Sequence, residues 1–308
     1  MQITVMGSGG VGGYFGARLA AAGNAVTFVA RGRHLEAMRR NGLRLDSELG
    51  NLTLNPVEVV ADARDIAAAD VILFAVKMGD TDGAARSLHP LVAKGATIFT
   101  FQNGIDSAER IGGIVGANSV VPGVGRILSH ICEPGVIKQT GTFARLEFAE
   151  SDNKPSARTT AFYEACKAAG FEAVLSPNIR RELWMKFAML APNAAVTALA
   201  RGPISIIRDN PKSRPLLEYL VEEAVAVGIA LKTGLEPSDT GAIMRLIDGL
   251  PKMMMASMAH DIVAGKPIEV EGLSGALVRL GAQTGVPTPS HAFIVQALAP
   301  FAAGKPAV

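Results

Sequence analysis

The chain has 308 residues, with apolar side chains at 49% and charged ones at 19%, a balance that suits two folded domains and excludes long disordered tracts. Lys and Arg number 30 against 28 Asp and Glu, a net charge of only +2, which leaves no electrostatic footprint for a nucleic-acid backbone.

Residues 3–6 form an apolar β-type run that predicts a buried strand. No basic leader precedes it and a glycine-rich turn follows at once, so it does not read as a signal peptide. A helix is expected over 11–22, a strand over 25–29, and a small hairpin from 43–45 and 52–54 across a polar turn. Strands at 71–76 and 97–101 flank a helix at 80–89. Further strand signals at 120–128 and 135–148 are expected to close the first domain with antiparallel additions. This alternation predicts an α/β Rossmann-type domain with a parallel sheet.

Beyond Pro177 helix formers dominate, and Gly202-Pro203, Pro211, Pro237, Pro251 and Pro267 space out long segments, which predicts an all-α second domain. The expected division is 1–176 and 177–308, with 302–308 a frayed tail. The longest apolar run, 187–200, is interrupted by Pro192 and Asn193 and falls short of the roughly 20 residues a bilayer requires, so no membrane segment is expected.

Between the first strand and helix stands Gly7-Ser8-Gly9-Gly10-Val11-Gly12, a G-x-G-x-x-G. Gly7 permits the tight turn, Gly9 lets a pyrophosphate approach the backbone, Gly12 lets helix and strand pack closely, and the helix N-terminus offers free N–H groups. Where an NAD site usually carries a carboxylate after the second strand, this chain has Arg31. A guanidinium can grip a 2′-phosphate bidentately where a carboxylate would repel it, so NADP(H) is the expected cofactor.

The chain resembles the ketopantoate reductases, or 2-dehydropantoate 2-reductases, in GSGGVGGYFGARLAAAG at 7–23, FAVK at 74–77, FQNG at 101–104, NIRRELWMKF at 178–187, and a stretch from SMAHD at 257–261 through GKPIEVEGLSG at 265–275 to GVPTP at 285–289. The resemblance implies a helical C-terminal domain like that of 6-phosphogluconate dehydrogenase, and NADPH-dependent reduction of ketopantoate to pantoate, a step toward pantothenate. It makes Lys186 the catalytic lysine, Glu269 the active-site carboxylate and Ser257 a substrate-contacting hydroxyl, with Lys77 and Asn103 lining the junction of cofactor and substrate. Hydride reaching a carbonyl carbon leaves negative charge on oxygen, which an ammonium stabilises before supplying the proton. Lys186 is also spaced to form an i,i+4 pair with Glu182, the ordinary use of such a lysine. Glu269 and Glu271, two positions apart, cannot share a helix face, so one carboxylate is expected in the site.

Ketopantoate reductases commonly carry asparagines four and eight positions after that lysine, where this chain has Leu190 and Ala194, and the segment after Glu269 departs at Glu271, Gly272 and Ser274. Asn193 lies about 100° round the helix from Ala194. The departures imply a drier pocket, and leave another carbonyl substrate, or a non-catalytic NADP(H) sensor, as alternatives. His34, His89, His130, His260 and His291 have no metal-site spacing. His260, three residues after Ser257, is expected at the surface or in a cap, with approach to the site as the other reading. Met253, Met254, Met255 and Met258 are expected to pack helix on helix, with a pocket or homodimer surface as the alternative use. Cys132 and Cys166 are too few for a disulfide framework, which favours a reducing, cytoplasmic setting. The expected partner is a small keto acid.

Overall fold

Strand β1 (Gln2–Met6) buries four of its five residues, the continuous apolar run of a parallel strand covered on both faces. In the computed structural model, which describes residues 1–306, β1 lies between β2 (Ala25–Val29) and a later strand of sequence Val-Ile-Leu-Phe. Helix α1 (Gly10–Ala21) makes the first crossover and α2 (Gly32–Asn41) follows β2. Next come β3 (Leu43–Ser47), β4 (Leu52–Leu54) and β5 (Glu58–Val60), then the Val-Ile-Leu-Phe strand β6 (Val71–Phe74). After it run α3 (Thr81–Ser87), α4 (His89–Ala93), β7 (Thr97–Thr100), α5 (Ser107–Val115) and the long strands β8 (Val120–Glu133) and β9 (Val136–Phe148). Helix α6 (Ala157–Ala168) and β10 (Glu172–Leu175) complete the unit, which ends at Ile179.

The strand order is β4-β3-β9-β8-β7-β6-β1-β2-β5, with β10 beside β9. Among the described residues only β3–β4 and β8–β9 pair antiparallel, as expected for the hairpin and the closing additions. The core under the sheet includes Phe99, Phe148 and Phe162, with ring centroids 4.5 Å apart for Phe99–Phe162 and 5.2 Å for Phe99–Phe148.

The second unit begins at Arg180 and is helical: α7 (Ile179–Ala200), α8 (Ser205–Arg208), α9 (Arg214–Ala230), α10 (Ser238–Asp248), α11 (Ser257–Val263), α12 (Ser274–Thr284) and α13 (Pro289–Leu298). Helix α9 packs against α10, α12 and α13. Gly228 of α9 sits so close to the Trp184 ring of α7 that a Cβ would stand 2.9 Å from it.

Three expectations are corrected. The single helix over 80–89 is two, α3 and α4, because Pro90 stands in the first turn of α4 and starts a new helix. The tail does not fray from Ala302: its carbonyl accepts from the Ile268 N–H at 3.1 Å and the Lys305 N–H donates to Gly265 at 3.0 Å. Residues 307 and 308 lie outside the described residues. The apolar run at 187–200 is the second part of a 22-residue helix, α7, which by length and composition alone could cross a bilayer; its most apolar stretch is 61% buried within the protein, as suits a core helix.

Candidate active site

The cofactor residues gather at the carboxyl ends of β1, β2, β6 and β7, the edge where an open α/β sheet presents its ligand. Gly7 has φ +100°, and a Cβ there would stand 2.8 Å from Ala75 backbone atoms just beyond β6. A Cβ on Gly12 would stand 2.1 Å from the Gly7 carbonyl oxygen. The turn therefore closes only on glycine. By contrast, nothing lies within 4 Å of where a Gly9 Cβ would be, so the loop keeps open space at the position that must admit a pyrophosphate. Gly10 lies against the Ser129 carbonyl of β8, and Val11 packs beside Gly125 of the same strand. Ser8 is buried, with its Oγ–H donating to the Val29 carbonyl at 2.9 Å, which ties the loop to the end of β2.

Arg31 is the N-cap residue of α2 and is exposed, its guanidinium 3.6 Å from the Asp80 carboxylate. Lys77 is exposed just after β6, and Asn103 is half-buried after β7. Gln102 connects the two loops: its Nε2 donates to the Val76 carbonyl at 2.9 Å and to Thr81 Oγ1 at 3.0 Å. Glycine cradle, open face, helix N-terminus and exposed arginine together fit a dinucleotide with a 2′-phosphate.

The remaining candidates belong to the helical unit. Lys186 is half-buried about a third of the way along α7, and Ser257 is the exposed first residue of α11. Glu269 is half-buried ahead of α12. The segment of Glu269 and Glu271 is a turn rather than a helix, so the helix-face argument does not apply. The two carboxylates differ all the same: Glu271 is exposed and stands 3.8 Å from the Arg279 guanidinium.

Helix α7 runs unbroken through Pro192, which offers no N–H to the Ala188 carbonyl. Leu190 is half-buried and Ala194 is buried. Asn193 is 3% exposed and its Oδ1 has no hydrogen-bond partner among the described residues. Seven residues after Lys186, it lies within about 20° of the lysine's own face in a regular helix.

Ser274 and His291 serve the fold. His291 is fully buried, with Nδ1 3.1 Å from Ser274 Oγ and Nε2 3.0 Å from the Leu220 carbonyl. The carbonyl can only accept, so Nε2 carries the proton and the serine hydroxyl donates to Nδ1. Burial pushes the His291 pKa down to about 4. Glu223 caps α13 through the Ser290 and His291 N–H groups at 2.8 and 3.0 Å. His260 is exposed in the last turn of α11. Met258 is buried in α11, but Met253 is 77% exposed and 253–255 lie in a loop, so the expected helix-on-helix packing does not hold for the run before Met258. Among the described residues no group of His, Cys, Asp and Glu is arranged to hold a metal ion.

A nucleotide cradle on a parallel sheet, joined in one chain to a helical unit, defines the class of nicotinamide-dependent oxidoreductases. The sequence model for "Ketopantoate reductase PanE/ApbA" matches residues 3–153, and that for "Ketopantoate reductase PanE/ApbA C terminal" matches 178–302. The chain belongs to the ketopantoate reductase family and is an NADP-dependent oxidoreductase. It is 30% identical to the 2-dehydropantoate 2-reductase of Mesorhizobium japonicum, over 94% of each chain. A PanE/ApbA family ketopantoate reductase from Ralstonia eutropha JMP134 superposes with a TM-score of 0.89 at 28% identity, over 98% of each chain. A D-mandelate dehydrogenase with NADH and anilino(oxo)acetate shares the fold, with a TM-score of 0.89 at 19% identity over 98% of each chain.

Proposed function

We propose that the protein reduces the keto group of a 2-keto acid with NADPH, ketopantoate to pantoate being the first substrate to test, with Lys186 as general acid. The observation that carries the reading is Lys186 itself, an ammonium half-buried in a core helix of a chain whose other unit has the glycine cradle and Arg31. The reduced nicotinamide, when bound, supplies the hydride. Lys186 neutralises the charge that develops on the carbonyl oxygen and then gives it a proton. Glu269 orients that ammonium or accepts from a substrate hydroxyl, and Ser257 and Asn103 hold the substrate's polar groups. Lys77 and Asn103 contact the nicotinamide end of the cofactor. The division of labour follows 1–176 for cofactor and 177–308 for substrate. Free thiols at Cys132 and Cys166 support a reducing, cytoplasmic setting.

A second reading, a 2-keto acid with a more apolar side chain, is favoured by Leu190 and Ala194, whose side chains offer no hydrogen bond to the hydroxyl of ketopantoate. Leaving that hydroxyl unpaired costs about 1–3 kcal/mol. The same fold serves a D-mandelate dehydrogenase, so the fold alone does not single out ketopantoate. Steady-state NADPH oxidation with ketopantoate, 2-ketoisovalerate and benzoylformate ranks the two readings by kcat/KM. Turnover of none of the three would remove 2-keto acid reduction as the activity.

A further inference from the structure

We propose that His34 is a positioning residue for NADP(H), fixing the glycine loop against the helix that carries Arg31. The proposal rests on cofactor binding at the glycine loop and Arg31. His34 is the third residue of α2, whose N-cap is Arg31. Its Nε2 stands 2.9 Å from the Ser8 carbonyl and its Nδ1 receives the Gly135 N–H at 3.0 Å. A backbone N–H can only donate, so Nδ1 is the acceptor and Nε2 carries the proton that goes to Ser8. The imidazole is thus neutral and used at both nitrogens, and its burial, which lowers its pKa, favours that neutral form.

Two consequences follow for the cofactor. In a trans peptide the carbonyl and the next N–H point opposite ways. Holding the Ser8 carbonyl toward His34 therefore turns the Gly9 N–H away from it, at the residue whose Cβ position is open space. Pyrophosphate and 2′-phosphate are carried on the 5′ and 2′ positions of one ribose of NADP(H), a fixed spacing, so its grip depends on the distance between the loop and Arg31. His34 joins those two elements directly, while its bond to Gly135 anchors both to the turn between β8 and β9.

The test uses three full-length variants and follows NADPH binding by fluorescence, kinetic constants with both cofactors, and melting temperature. His34→Gln keeps a donor near the Nε2 position, whereas His34→Asn keeps an acceptor for Gly135 and does not reach Ser8. His34→Ala and His34→Asn are expected to raise the KM for NADPH about 10-fold with kcat within 2-fold, and to narrow the preference for NADPH over NADH. His34→Gln is expected to restore most of the loss. An unchanged KM in all three variants overturns the proposal, and so do equal KM losses in all three that track the melting temperature. Wild-type protein that failed to bind NADPH would instead sink the cofactor reading beneath it.

Discussion

Arg31 illustrates how much a single side chain decides. Its pair with Asp80 is 3.6 Å long and exposed on both sides, and such pairs contribute about 0–1 kcal/mol. In the proposed cofactor site a 2′-phosphate, with more charge and a bidentate geometry, is expected to displace it. Arg31→Ala is therefore expected to lower kcat/KM for NADPH by about 10–100-fold, the loss of one charge-assisted contact, while kcat/KM for NADH stays within a few-fold. His291 acts on stability instead. Its pKa falls from 6.5 in the unfolded chain to about 4 in the folded protein, so the unfolded state binds the proton first. Its contribution is complete above pH 6.5 and is lost as pH falls from 6.5 toward 4, amounting to about 2 kcal/mol by roughly pH 5. Melting temperature measured at about pH 7.5 and 5 should drop on the acid side, and His291→Gln should show a smaller drop. An equal drop in the variant would assign the acid sensitivity to other groups.

Among the elements, the glycine loop is the least tolerant of change. A Gly12 side chain would meet the Gly7 carbonyl at 2.1 Å, and backbone cannot step aside as a flexible side chain can. Gly12→Ala is expected to destabilise the protein by about 1–3 kcal/mol and to weaken NADPH binding, read from a melting curve and a fluorescence titration. This loop and the strands around it were legible in the sequence because their signals are local: an apolar run, a glycine spacing, a helix start, an arginine two residues beyond β2. Other features depend on contacts that no local pattern records. His34 looked like one of five scattered histidines, yet its two partners lie 26 and 101 residues away. Ser274 and His291 meet across 17 residues of chain, and Ser274 there serves the fold rather than a substrate. The α3–α4 break was readable from Pro90, whereas the pinning of the tail by Ile268 and Gly265 was not.

On the scale of the whole molecule, the proposed reaction draws cofactor binding and proton donation from different units of one chain, and the residues that depart from what the resemblance implies lie in the second. Leu190 and Ala194 are the clearest, so substrate choice should be adjustable there without touching the cofactor side. Leu190→Asn is expected to raise the kcat/KM ratio of ketopantoate to 2-ketoisovalerate several-fold, with the KM for NADPH unchanged. The central claim, keto-acid reduction with Lys186 as the acid, is tested most directly by Lys186→Met. With the preferred 2-keto acid its kcat should fall by about 10²–10⁴-fold, while fluorescence titration returns the wild-type affinity for NADPH. A kcat within a few-fold of wild type would contradict the account.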